Sequence, residues 1–354
     1  MKIPLYEESF EPPGVVQSIL SYAVAAPSPL NTQPWRVMLL GPCLLDLYPD
    51  TGRLLPAIDP TLRQVYLSCG AFIENLEIAA GEAGFRPEIS LFPSGWAGIS
   101  PTPDQPVARI ELTSNGSVES DPLFCCLHTR HTNRRIYTAR EILPETFSAL
   151  AGSFDPQFTS FGFSADSSFR EELAGYLRTA LEVELSESDR FEERLSYVRI
   201  NDPTGDKRRD GYGSTELGLY GITGWLSRIR ILITPDGSKN RYARKLLIRL
   251  IEKQSESAAA FGWIVTRGNS RYDQIRAGRA YDRLHLTAAS LGLSLQPMTS
   301  ILEPYSGMEG LARNFRDLLG IPDTHTVQMV FRLGYSCPGA RSQRREVKDL
   351  YTIH

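Results

Sequence analysis

The sequence predicts an α+β protein built from two related modules, on three grounds. Its 354 residues exceed one average domain of about 150. Strand-like runs alternate with helical runs in both halves. Two helical stretches also match under a shift of 208 residues, which carries Gly70 onto Gly278, Leu76 onto Leu284, Ala80 onto Ala288 and Gly84 onto Gly292. The same shift pairs Glu74 with Asp282, Ile78 with Leu286 and Phe85 with Leu293. Each stretch starts at a glycine, stops at another and leads into a strand. Chance similarity of two amphipathic helices is the competing explanation; the matched starts and stops favour a duplicated unit. The expected division is a shortened module over 1–120 and a second over 121–354.

The elements follow in order. Residues 15–26 carry apolar side chains at helical spacing and stop at Pro27-Ser28-Pro29, because proline lacks the N–H a helix needs. Runs 35–40 and 44–48 are β-type and flank Gly41-Pro42, as a hairpin or two neighbouring strands would. Residues 64–84 form the clearest helix of the first half, with Leu67, Ala71, Leu76, Ile78 and Ala79 on its buried side. Residues 108–112 make a short strand, and the polar run 114–121 connects the modules. The second half supplies helices at 169–185, 241–256 and 277–291 and strands at 261–265 and 327–333. Between them, 197–224 is a charged, glycine-rich stretch too long for a simple turn: a lid, or a disordered surface loop.

Composition narrows the function. Thirty-eight Lys and Arg against 41 Asp and Glu leave a net charge of -3, so no global basic field exists to hold nucleic acid or an anionic membrane. Five scattered cysteines argue against a disulfide scaffold, and no His or Cys spacing matches a metal site. The acidic, proline-broken start MKIPLYEESFEPPG resembles no signal or transit peptide, and no apolar run is long enough to span a bilayer. A soluble, cytoplasmic chain is expected.

Three stretches carry chemistry. In Ala26–Arg36 two prolines stiffen a loop in which Ser28, Asn31 and Gln33 offer short polar groups; it is a ligand loop, or a stiff turn anchored by Trp35. In Arg130–Arg135, RHTNRR, arginines either side of a hydroxyl can converge on a phosphate with two-pronged geometry, unless the run is a solvated helix end. Gly334-Tyr335 followed by Arg341, Arg344 and Arg345 is a basic tail that could close such a cradle.

PSPLNTQPWRV, RHTNRR and GYSCPGARSQRR together resemble the N-x-Q-P-W, R-x-[ST]-x-R and GY…R-R/K segments of the FMN-dependent nitroreductase superfamily, nearest its Acg-like branch. That resemblance, covering about Ser18 to Val347, implies a nitroreductase-like mixed sheet flanked by helices, with the two modules forming inside one chain the dimer that carries FMN elsewhere in the family. It implies a cofactor site made by Arg130, His131, Thr132, Asn133 and Arg134, with Arg130 and Thr132 on the FMN phosphate and Arg134 at the pyrimidine edge. Arg344 and Arg345 would reach the phosphate from the tail, and Gln296, Pro297 and Met298 would present backbone groups to N5 and O4. Ser28 and Asn31 would arrive from the other module. No R-x-[ST]-x-R precedes Pro27, so one FMN per chain is expected, in a monomer with an intrachain pseudo-dimer or in a homodimer. The activity implied is NAD(P)H-dependent, ping-pong reduction of a nitroaromatic, quinone or similar flat acceptor. No protein acid or base is obligatory, so no catalytic side chain is assigned, and no GxGxxG follows a strand to suggest a separate nicotinamide domain. The alternative is an FMN storage or sequestration protein whose lid excludes NAD(P)H.

Overall fold

The computed structural model describes residues 14–95, 105–114, 119–199, 208–221 and 236–353. Two sheets organise them. In the first, β1 (Trp35–Gly41), β2 (Leu44–Pro49), β3 (Phe85–Leu91) and β4 (Ala108–Ser114) form an antiparallel set in the order β3-β4-β2-β1. Helices α1 (Gly14–Ala23) and α2 (Arg63–Glu82) pack against it, and Trp35, Val37, Leu45, Leu47 and Phe72 fill the shared core. The second sheet has the antiparallel order β5-β6-β8-β7, from β5 (Thr159–Ser164), β6 (Ala260–Thr266), β7 (Ser294–Pro297) and β8 (Thr326–Gly334).

Every residue of β6 is buried, because helices cover both faces of the second sheet. Ala260 and Ile264 face α3 (Pro144–Ala151) and α7 (Arg271–Ser290), whereas Phe261, Trp263 and Val265 face α4 (Ser167–Ser186) and α8 (Glu309–Leu318). This is the alternation that a pleated strand imposes on a sheet with two cores. Helices α5 (Ser188–Ser196) and α6 (Asp236–Glu256) complete the second half.

The strands up to Ser114 make the first sheet and those from Thr159 make the second, with one exchange. The final strand, β9 (Tyr351–Ile353), returns to the first sheet and pairs in parallel with β1 through Val37–Leu39. The tail carrying Arg341, Arg344 and Arg345 therefore crosses from one module to the other.

The duplicated helices fit the 208-residue shift to the residue: α2 spans Arg63–Glu82 and α7 spans Arg271–Ser290. Gly70 and Gly278 do not start them, as the sequence pattern suggested, but lie two turns inside. The reason is packing. A Cβ on Gly70 would lie 2.1 Å from the Ile275 carbonyl oxygen, and one on Gly278 would lie 2.0 Å from the Leu67 carbonyl oxygen. Since 67 maps onto 275 and 70 onto 278, these two contacts are one contact repeated by a local two-fold axis. A second pair obeys the same rule: Arg283 Nη1 donates to Glu74 Oε1 (2.7 Å), and Asn75, with its amide turned to satisfy both neighbours, donates to Asp282 Oδ2 (2.6 Å).

The first residues of the chain, and 200–207 and 222–224 of the long stretch, lie outside the described residues. The part at 208–221 is docked on the first module: Gln33 Nε2 donates to the Arg209 carbonyl (2.7 Å), Asn31 Nδ2 to the Gly211 carbonyl (3.0 Å), and Arg53 pairs with Asp210 (3.3 Å).

Candidate functional site

The loop after α1 is held in an uncommon shape. Leu30, Asn31 and Gln33 all have positive φ (48°, 56° and 53°), a region that costs non-glycine residues free energy and persists only where neighbours enforce it. Here the enforcing contacts are visible. Ser28 Oγ accepts from the Gln33 N–H (2.9 Å), and Gln33 Oε1 accepts from the Arg345 N–H (2.7 Å). Asn31 Nδ2 also donates to the Gln343 carbonyl, while its Oδ1 accepts from Arg344 Nη1 (2.8 Å). Loop, tail and the 208–221 segment thus fix one another.

Two connected clefts open beside this loop, sharing Pro27, Ser28, Thr132, Arg134 and Tyr212 as lining. The first is polar. Its floor holds Arg130, which is buried rather than a solvated helix end: Nη2 donates to the Ala25 carbonyl (2.8 Å), Nη1 to His285 Nδ1 (3.2 Å), and Nε lies 3.6 Å from Asp282 Oδ1. Arg344 reaches the same Ala25 carbonyl (3.3 Å). Two guanidinium groups on one carbonyl oxygen repel each other. Burial, with Arg130 beside it, pushes the Arg344 pKa down to about 9, although Asp282 works the other way. Burial pushes Asp282 up to about 7 against the pull of Arg130. Arg344 Nε and Arg130 Nε are buried with no hydrogen-bond partner. Arg130 Nε faces Asp282, so the open donor is Arg344 Nε; that donor and the crowding of two buried cations are what a bound anion satisfies, and the residues present fit a phosphate monoester.

His131 is neutral by geometry: its Nε2 accepts from the Gly339 N–H (2.9 Å), so Nδ1 donates to the Thr129 carbonyl (3.0 Å), and burial lowers its pKa. It ties the tail to the arginine loop while lining the polar cleft. Thr132 and Arg134 face both clefts, and Arg134 stacks over Tyr212 at 4.8 Å.

The second cleft is mostly apolar, running from Ser68 and Ala71 of α2 across Tyr281, Gln296, Pro297 and Met298 toward α4 and α6. Gln296 is braced: Oε1 accepts from Arg332 Nε (2.7 Å) and Nε2 donates to Gln254 Oε1 (2.9 Å). Arg332, fully buried and 3.7 Å over the Tyr137 ring, also donates to the Gln254 and Arg135 carbonyls (both 2.6 Å). Burial pushes its pKa down to about 10. It therefore joins the arginine loop, β7 and the end of α6 from beneath.

Several expected site residues have other duties. Asn133 lines neither cleft: Nδ2 donates to Ser294 Oγ (3.0 Å) and to the Cys337 carbonyl (2.9 Å), stapling the arginine loop to β7 and the tail. Arg345 points away, toward the Trp35 carbonyl (2.9 Å) and Asp50 (3.2 Å), because it anchors the returning tail to β1. The Met298 N–H is engaged by the Val330 carbonyl (2.8 Å), and Pro297 has no N–H, so neither is free to donate to a cofactor.

Sequence reasoning missed Asp282, His285 and Arg332. Asp282 and His285 carried one signal, polarity on the buried side of a repeated helix; Arg332 carried another, a charge inside the apolar run 327–333.

Among the described residues no helix is long and apolar enough to cross a membrane, and no group of three or more His, Cys, Asp or Glu could hold a metal ion.

Sheets flanked by helices thus carry a cationic cleft that opens into a mostly apolar one. The nitroreductase family model matches residues 239–335. A Mycobacterium tuberculosis protein named "Putative NAD(P)H nitroreductase Rv3131" is 30% identical over 129 residues, covering 35% of this chain and 34% of that one. "Putative NAD(P)H nitroreductase acg" from the same organism is 34% identical over 80 residues, 23% of this chain and 24% of that one. The matches thus span about a third and about a quarter of the length of these relatives. A nitroreductase-type crystal structure from Anabaena variabilis aligns over 91% of this chain and 88% of its own, with a TM-score of 0.50 at 13% identity, which is a likeness of fold. The chain is thus similar to the nitroreductase family over residues 239–335, and to these mycobacterial relatives over part of its length.

Proposed function

We propose that this chain is an FMN-dependent oxidoreductase that takes reducing equivalents from NAD(P)H and passes them to a small, flat acceptor. The observation that carries the reading is the continuous cleft between the Ser28–Asn31 loop of one module and the Arg130–Arg134 loop of the other, cationic at one end and apolar at the other. Arg130 and Arg344 would hold the phosphate and Thr132 would add a hydroxyl donor. Arg134, at the junction of the clefts, would put positive charge near the pyrimidine edge of the ring. Gln296 would stay in place through Arg332 and Gln254, and the backbone N–H groups of Thr299 and Ser300, which line the same wall, replace those of Pro297 and Met298 as candidate donors. When bound, FMN would supply the two-electron redox chemistry; the chain supplies binding, orientation and exclusion of water.

We further propose one site per chain, in an intrachain pseudo-dimer. The apolar cleft has room because Ser68 and Ala71 are small; the 208-residue shift puts Arg276 and Arg279 at the equivalent positions of α7. Arg279 fills its place with ion pairs to Glu74 (2.9 Å) and Glu77, and Arg276 stacks on Phe158 at 3.8 Å. At the second symmetry-related position two arginines thus stand where the first has small residues, and no arginine motif is present; both differences support one site per chain.

The test is anaerobic mixing of flavin-loaded protein with NADH and with NADPH, followed by flavin absorbance. Bleaching with either is the expected result. A bound flavin that neither reductant bleaches would overturn the oxidoreductase reading in favour of sequestration.

A further inference from the structure

Beyond Arg134 the cleft changes character. Leu177 and Leu181 of α4 form one wall, and Leu247, Leu250 and Ile251 of α6 form the other. The three on α6 are only half-buried: they pack against neighbouring apolar residues and still expose part of their surface to the cleft. Among the lining residues past Arg134, the only charged ones are Glu184 and Arg194.

These two come from consecutive helices. Glu187 is extended (φ -83°, ψ 135°), which breaks α4 from α5 and folds Arg194 back onto Glu184. Arg194 Nε donates to Glu184 Oε1 (2.7 Å), and Nη2 reaches the same oxygen. The Glu184 side chain is 1% exposed and that of Arg194 18%. Burial opposes the Arg194 charge, but Glu184 more than restores it, so the pKa lies above its ordinary value. Neighbouring Arg190 donates to the Glu184 main-chain carbonyl (3.0 Å) and stacks over Tyr305 at 4.4 Å; Glu193, a second carboxylate close enough to act on both, is turned to the Ala57 and Ile58 N–H groups (3.3 and 2.7 Å). The outer cleft therefore presents an apolar surface ending in a self-neutralised ion pair. An anionic ligand entering it would lose hydration and meet the Glu184 carboxylate together with a cation already engaged. An uncharged ring would lose little hydration and gain burial against five aliphatic side chains.

Resting on the oxidoreductase reading above, we propose that the outer cleft selects uncharged, apolar ring acceptors, and that Glu184 determines this specificity by neutralising Arg194. The probes are methyl 4-nitrobenzoate and 4-nitrobenzoate, which share a ring and differ in charge. Equilibrium dialysis without reductant reads binding rather than turnover. Wild-type protein should bind the ester at least about tenfold more tightly than the acid. Glu184→Gln, which leaves Arg194 without its counter-ion, should tighten the acid by about tenfold and leave the ester within about twofold. Arg194→Met, which leaves Glu184 alone, should weaken the acid further and spare the ester.

Equal binding of acid and ester by the wild type overturns the proposal, and that arm needs no variant. An unchanged acid-to-ester ratio in Glu184→Gln, or tighter acid binding in Arg194→Met, overturns the role of Glu184. The dialysis is run on flavin-free and flavin-loaded protein alike. Failure of NAD(P)H to bleach the flavin would therefore sink the oxidoreductase reading and leave the measured selectivity standing.

Discussion

Arg130 carries the sharpest consequence at the scale of single residues. If it holds the flavin phosphate, Arg130→Ala removes a charge-assisted hydrogen bond of about 1.5–3 kcal/mol, and FMN affinity falls by roughly one to two powers of ten. Arg130→Lys should recover part of the loss, since an ammonium keeps the charge without the planar fork, and Thr132→Val should cost less than either. Fluorescence titration of flavin-free protein with FMN at fixed ionic strength reads all three; equal affinity for wild type and Arg130→Ala would remove this loop from the site. The arginine itself was legible, because arginines clustered around a hydroxyl in a short basic run advertise an anion. Its partners were not. His285 lies 155 residues away in sequence, and it and Asp282 reach Arg130 only because α7 turns them inward. Asn133 and Arg345 show the converse: membership of a motif did not decide which way a side chain points, and both were drawn into bracing the tail.

Among the helices, the reciprocal contact of Gly70 and Gly278 ties the two modules together most closely. Adding a methyl at either position drives it into the facing backbone, which cannot yield as a flexible side chain would. Gly278→Ala should destabilise the protein by about 1–3 kcal/mol or more. The control is Gly175→Ala in α4, where nothing lies within 4 Å of the added methyl. There, reduced freedom of the unfolded chain should stabilise by about 0.4–1 kcal/mol. Thermal melts of both variants give the answer: similar shifts would mean that the helices part easily at the crossing. Many elements were readable from apolar spacing, but α3, α5, α8, β5 and β9 were not, and α7 was placed too late. It begins at Arg271 instead of residue 277, because Ser270 and Asp273 form a reciprocal cap that the sequence displayed as Ser-x-x-Asp. For α2 no such signal exists: its preceding residue, Leu62, is left-handed, and its first turn is held by Asp59, whose Oδ2 accepts from the Val65 N–H (3.1 Å).

For the molecule as a whole, the local two-fold relation of α2 and α7 and its breakdown bear on the proposed stoichiometry. The axis relates α2 to α7, but Ser68 and Ala71 on one side become Arg276 and Arg279 on the other. Flavin released by denaturation should be FMN at one per polypeptide; two per polypeptide would show that the arginines move aside. The repeat was visible in the sequence, whereas the strand exchange was not, since three residues of parallel pairing leave no periodic pattern. That exchange has a consequence for biosynthesis. Asn31 and Arg344 are 313 residues apart, so at about 5–20 residues per second the loop is made roughly 15–60 s before its partner. Throughout that interval β1 is an open sheet edge with Val37–Leu39 unpaired, the kind of template on which neighbouring nascent chains associate. If the chain takes FMN as proposed, loading would come after that hazard has passed, once Arg344 of the tail has met Asn31 of the loop.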